Sequence, residues 1–146
     1  MLVIGIGSPD GGDDTVGWTV AAALAGICDT ALSTGEPAEL IERWRHRDRV
    51  VLVDAVRGDG YPGEITVIDL LSSRLPGRPA SSSHGLGPIE AVGLGRALDR
   101  LPGSLTLVGI EARTFTPGTG LSPAVERGAA RAVEVISGWV AGDDPV

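Results

Sequence analysis

The chain has 146 residues, 42% hydrophobic and 21% charged, enough for one domain (1–146) with its own core and too little for a second. Its net charge is −7 and all 12 basic residues are arginine. The acidic balance argues against nucleic acid or membrane as a main partner, and the lack of lysine excludes a P-loop or a Schiff-base mechanism.

The lone cysteine, Cys28, excludes an internal disulfide; it reads as a small buried residue near a helix end. The N-terminal MLVIGIG lacks the basic region and cleavage site of a signal peptide, and no apolar run approaches the ~20 residues that span a bilayer. A cytoplasmic location is expected.

Leu2 to Ile6 is a continuous apolar strand that ends in the glycine-rich turn from Gly7 to Gly12. A helix is expected from Asp13 or Asp14, with Val16, Val20, Leu24 and Ile27 on its buried face. Thr30 to Thr34 is a weak second strand, and Glu36 to Arg47 a helix with Leu40, Ile41 and Trp44 inward. Arg49 to Val56 (RVVLVDAV) is apolar on both faces, as a central parallel strand covered by helices on both sides must be. The loop RGDGYPG leads to an edge strand, Glu64 to Ile68, and the run from Leu70 to Ser83 has no period and reads as loop.

Leu86, Ile89, Gly93, Leu94, Ala97, Leu98 and Leu101 mark the expected face of a third helix, whose two interior glycines imply close packing. Leu105 to Ile110 is another buried strand. A last helix begins with Ser122 as cap and Pro123 in its first turn, followed by Val125, Ala129, Ala132, Val133, Ile136 and Val140; the final GDDPV should fray. The alternation is that of βα units around a mostly parallel sheet.

In such a sheet, ligands collect beyond the carboxyl ends of the strands. Asp14 falls there after the first strand, Asp54 ends RVVLV, and His84 follows the serine run Ser81 to Ser83. Two carboxylates and an imidazole suit a divalent transition metal such as nickel or zinc, with positions left open for water or substrate. Blander roles compete. One of Asp13 and Asp14 should cap the helix, and Asp54 has a second reading as a tie for the next loop, paired with Arg57. His46, in RWRHRDR, reads as a solvated surface residue. The Gly5-Ile6-Gly7 turn suggests a dinucleotide site, but Asp10 stands where a third glycine is needed. Asp10, Asp13 and Asp14 would also repel a pyrophosphate.

At these residues the sequence resembles the hydrogenase maturation endopeptidases, nickel-dependent proteases that process the large subunit of nickel–iron hydrogenases. GIGSPDGGDDTVG is similar to the family's first turn and acidic pair, and VVLVDAVRGDGYPGEI to its central strand with aspartate. SSSHGLG resembles its histidine segment, and LPGSLTLVGIEA and GLSPAVERGAARAVEVI its last strand and helix. Ser8 stands where the family usually has asparagine, Thr15 where glycine is common, and Asp14 for the glutamate of some members.

The resemblance implies a three-layer α/β/α sandwich around a five-stranded, mostly parallel twisted sheet. It further implies a metal-dependent, aspartate-using endopeptidase that removes the C-terminal extension of a nickel-loaded large-subunit precursor. The family's metal-contacting and catalytic positions fall on Asp14, Asp54 and His84, with the nickel supplied in the substrate. A monomer is expected. The alternative is a non-catalytic metal-binding chaperone for the immature subunit.

Overall fold

The computed structural model describes residues 1–72, 81–82 and 87–143. Strand β1 (Leu2–Ile6) is buried along its whole length and runs into a 3-10 turn, Gly12–Thr15, that passes directly into helix α1 (Val16–Leu24). Strand β2 (Asp29–Ser33), helix α2 (Pro37–Trp44) and strand β3 (Arg49–Arg57) follow, then strand β4 (Ile65–Asp69). A two-residue strand β5 (Ser81–Ser82) precedes helix α3 (Gly87–Ala97), strand β6 (Ser104–Glu111) and helix α4 (Pro123–Val140).

The sheet follows the order β2-β1-β3-β6-β4, with β5 attached to the end of β3. β1 pairs parallel with β2 and β3, and β3 parallel with β6; β4 is the antiparallel edge. The five-stranded, mostly parallel sheet expected from the sequence is therefore present. β5 lies within the run read as loop, because two residues paired to Val56 and Arg57 carry no periodicity to detect.

Successive residues of β3 face opposite layers. Val51, Val53 and Ala55 join Val16, Val20 and Leu24 of α1 and Val125, Ala129, Ala132 and Ile136 of α4 in one core cluster. Val50 and Leu52 join Leu40, Ile41 and Trp44 of α2 and Ala91 and Val92 of α3 in the other. Helices thus cover both faces, which explains why β3 shows no polar alternation.

Three helix assignments need correction. α1 stops at Leu24, so Ile27 lies in the following turn, 52% exposed, rather than on the helix's buried face. In α3 the buried stripe is Gly87, Pro88, Ala91, Val92 and Gly95, whereas Leu94 and Leu98 face outward. At Gly95 a Cβ would lie 2.9 Å from Leu101 Cδ2 with Trp44 in contact beside it, leaving no room for leucine there; Gly93, the other interior glycine, faces open space. α2 ends at Trp44 because Arg45 is extended and His46 adopts φ 60°, a left-handed value. His46 is exposed, as expected. Residues 144–146 of the expected frayed end lie outside the described residues.

Candidate active site at the carboxyl ends of β1 and β3

Sequence order runs from β1 to β2 on one side and places β3 on the other, so the crevice between the ends of β1 and β3 is the topological switch point of the sheet. The turn after β1 is bent by Gly11 and Gly12, at φ 92° and 66°. A side chain at Gly12 would press on Thr116 O and on the carbonyl carbon of Phe115, so this residue answers both to a left-handed backbone and to close approach. Gly12 N–H donates to Thr119 O at 2.6 Å and Asp13 N–H to Thr114 O at 3.0 Å. Those amides are thereby consumed, which adds a structural reason why no pyrophosphate would sit at this turn.

The two neighbouring aspartates have opposite surroundings. Asp13 is 1% exposed and accepts hydrogen bonds from Ser122 N–H (2.8 Å), Ser122 Oγ–H (3.1 Å) and Thr114 N–H (3.3 Å). It ties the first turn to the β6–α4 connection across more than a hundred residues of chain. Ser122 stands at the N-cap of α4, as expected, but its hydroxyl donates to Asp13 instead of capping the helix. Asp14, one residue on, is half-buried, and its Oδ1 is buried with no hydrogen-bond partner among the described residues, a state it shares with Glu39 Oε1 on α2. A buried carboxylate oxygen left unmatched is costly, and such an atom fits a partner that arrives from outside the chain, a cation above all.

Asp54 is fully buried near the end of β3. By strand alternation it shares the face of Val50 and Leu52, toward the layer of α2 and α3. The turn carrying Asp14 packs on β3, so both aspartates belong to one rim. His84 lies outside the described residues. Among the described residues no group of three His, Cys, Asp or Glu side chains is arranged to hold a metal. Two backbone anchors bracket the histidine segment in sequence: Ser82 pairs with Val56, and Gly87 opens α3 against Gly35.

Several residues at this rim escaped the sequence reading. Glu111, 4% exposed, accepts Gly58 N–H at 2.6 Å, and Arg113 donates to Gly58 O (3.2 Å) and Gly60 O (2.6 Å). Together they fasten the loop that follows Asp54. The signal was available: Glu111 ends an apolar strand run, the feature that singled out Asp54. Arg57 does not pair with Asp54; its guanidinium lies 3.8 Å from the centre of the Phe115 ring. No sequence pattern links those two residues.

Cys28 is half-buried at the opposite end of the sheet and packs against the core. Burial raises its thiol above the ordinary value, with a smaller raising effect from Asp29 and a lowering one from the N-terminal ammonium. A thiol so placed is a poor nucleophile. Ellman's reagent is expected to react with it several-fold more slowly than with free cysteine at pH 8, and Cys28→Ser should leave any peptidase activity unchanged. A polar cavity of about 350 Å³ lined by Trp44, His46, Arg100 and their neighbours also lies at that far end, where β3 and β6 begin, away from both aspartates. No helix is long and apolar enough among the described residues to cross a membrane.

Residues 34–139 match the family model described as hydrogenase maturation protease. No curated protein matches the sequence. Among solved structures, the fold is similar to the NiFe hydrogenase maturation protease HybD from Thermococcus kodakarensis, with a TM-score of 0.78 and 26% identity over 95% of this chain and 97% of that one. It is equally similar to the hydrogenase maturating endopeptidase HybD from E. coli, with a TM-score of 0.78 and 26% identity over 96% and 91% of the two chains. An endopeptidase from Escherichia coli follows, with a TM-score of 0.76 and 25% identity over 92% and 88%. Because the family model spans well over half the sequence, the chain belongs to the hydrogenase maturation proteases.

Proposed function

We propose that this protein is a cytoplasmic, monomeric endopeptidase, its 146 residues one domain, that removes the C-terminal extension of a nickel-loaded hydrogenase large-subunit precursor. Asp14, Asp54 and His84 are its site. The observation that carries the reading is the unmatched, buried Oδ1 of Asp14 on the rim it shares with Asp54. The printed names of the similar structures, NiFe hydrogenase maturation protease and hydrogenase maturating endopeptidase, support the substrate class.

Nickel enters as part of the substrate. Carboxylates and an imidazole are suitable donors for it, and three protein donors leave room for the ligands the precursor supplies. Asp14, Asp54 and His84 would hold that cation, which when bound would supply Lewis acidity toward a carbonyl oxygen or a water. Asp54 then acts as general base: the water oxygen bonds to the scissile carbonyl carbon, its proton passes to the carboxylate, the C–N bond breaks, and that proton leaves with the departing amine. The aspartate thus cycles between charged and neutral forms with no covalent intermediate on the enzyme.

The test is to incubate the purified protein with nickel-loaded and nickel-free precursor and weigh the products by mass spectrometry. Loss of the C-terminal extension is expected only from the loaded form. Precursor that binds but keeps its mass over hours would replace the peptidase with a metal-binding chaperone. Equal cutting of both forms would remove nickel from the recognition step.

A further inference from the structure

We propose that Tyr61, at the tip of the loop between β3 and β4, is the anchor that docks into an apolar pocket on the folded body of the precursor. The inference rests on the reading of that precursor as substrate and adds a contact outside the three-residue site.

The aromatic residues of the chain are three Trp, one Tyr and one Phe. Trp44 and Trp139 are buried, and Trp18 and Phe115 half-buried. Tyr61 alone stands in solvent, 85% exposed, far beyond Ile27, the next large apolar side chain at 52%. A ring left in water adds nothing to this fold's core, whereas covering it favours association with whatever covers it.

A single exposed apolar side chain is ordinary on any surface; the loop that carries this one is not. Gly58 N–H donates to Glu111 Oε1, and Arg113 donates to the carbonyls of Gly58 and Gly60. Tyr61 N–H donates to Glu64 Oε2 at 2.9 Å, and Tyr61 O accepts Glu64 N–H at 2.9 Å. The turn so closed has Pro62 and Gly63 at its centre, with Gly63 at φ 86°, where a type II turn calls for glycine. Gly63 in turn donates to Glu111 O at 2.7 Å and accepts from Arg131 at 2.6 Å. The backbone on both sides of Tyr61 is thus fastened to β6 and α4 while its ring projects into water. A partner meets a ring already in place, which lowers the ordering cost of binding.

The loop also stands where the precursor must sit. Glu111 pairs in register with Val56, two residues past Asp54 on the same face of the sheet. A Cβ on Gly60 would lie 3.6 Å from Glu111 Cγ, and from there the loop crosses to α4 at Gly63. Its tip therefore rises beside the carboxyl ends of β3 and β6, and a folded precursor presented to Asp54 overhangs it. Asp59 and Glu64, both exposed, flank the ring. An apolar centre with a charged edge is the anatomy of an interface anchor, and it fits an apolar pocket with a polar rim.

Because the chain has one tyrosine, growth on fluorotyrosine places a single fluorine, at Tyr61. Its resonance should lie near that of the free amino acid and should shift or broaden when unlabelled, nickel-loaded precursor is added. In the processing assay Tyr61→Ala should raise KM roughly tenfold, with kcat and Tm unchanged. Tyr61→Phe keeps the ring and should restore most of the loss. Leu98→Ala, which trims an exposed side chain just past the far end of α3, should change neither constant. A fluorine signal that stays in place while the precursor co-elutes with the protein would overturn the docking contact. So would a KM for Tyr61→Ala equal to that of the unaltered protein, or a fall in kcat alone, the mark of a loop that only shapes the site. If the unaltered protein binds precursor without cutting it, the peptidase reading fails and the fluorine signal alone decides the contact. Precursor that does not bind at all overturns both.

Discussion

Asp14→Ala is expected to lower the rate of precursor processing by ~100-fold or more while leaving stability unchanged or raised by up to about 1 kcal/mol. Among the described residues its buried Oδ1 has no hydrogen bond to lose, and removing an unmatched polar atom relieves the fold of that atom's desolvation. Asp13→Ala should do the reverse. That carboxylate accepts three hydrogen bonds from Thr114 and Ser122, and its loss leaves two backbone N–H groups without their partner. The cost is about 2–4 kcal/mol, or a fall in Tm of roughly 10 °C for a chain of this size. Processing by Asp13→Ala should survive at low temperature and fail as the β6–α4 connection comes loose. Urea titration and thermal melts, run beside the mass assay, separate the two. A Tm for Asp14→Ala as low as that of Asp13→Ala would mean that the roles of the neighbours are misassigned.

Gly17→Ala should be the most damaging single methyl group that can be added near the site. A Cβ there would fall well inside van der Waals contact with Ile6 O and Val53 O, and a Cβ at Gly5 would meet Gly17 O in the same way. These are backbone atoms of the central strands and have no rotamer to change. The first turn of α1 would have to lift from the sheet, taking Val16 and Val20 out of the core and carrying the Asp14 turn away from Asp54. An overpacked site of this kind costs about 3 kcal/mol, and rigid neighbours put it at the upper end. Processing should fall in parallel, since geometry at the site is lost with stability. Gly26→Ala is the control: nothing lies within 4 Å of a Cβ there, so its urea midpoint should match that of the unaltered protein to within about 0.5 kcal/mol. Equal midpoints for the two variants would show that α1 is not seated on the sheet as described.

Some of this was readable from the residues. RVVLVDAV announces a central strand because both of its faces must be apolar when helices cover both, and β3 is buried from Val50 to Val56. The acidic residues after β1 and at the end of β3 stood out because charge is rare at the end of a buried strand. α3 was harder. Its leucines suggested the wrong stripe, because the space left at Gly95 by Leu101, with Trp44 and the Arg100 carbonyl beside it, is a tertiary matter that hydrophobicity along the sequence does not reveal. Which member of the Asp13–Asp14 pair holds the fold together was also hidden, since the answer depends on Thr114 and Ser122, about a hundred residues away.

By itself the sequence determined the layered architecture, the strand at its centre and the rim on which Asp14 and Asp54 lie, because apolar periodicity and the placement of acids are local properties of the chain. Only the tertiary structure decided that Asp13 is bonded and Asp14 is not, that Arg57 turns onto Phe115, and that Glu111 and Arg113 brace the loop after Asp54. Those are matters of who meets whom. Partners far apart in sequence become neighbours only when strands pair in the order β2-β1-β3-β6-β4, and no local pattern encodes that order.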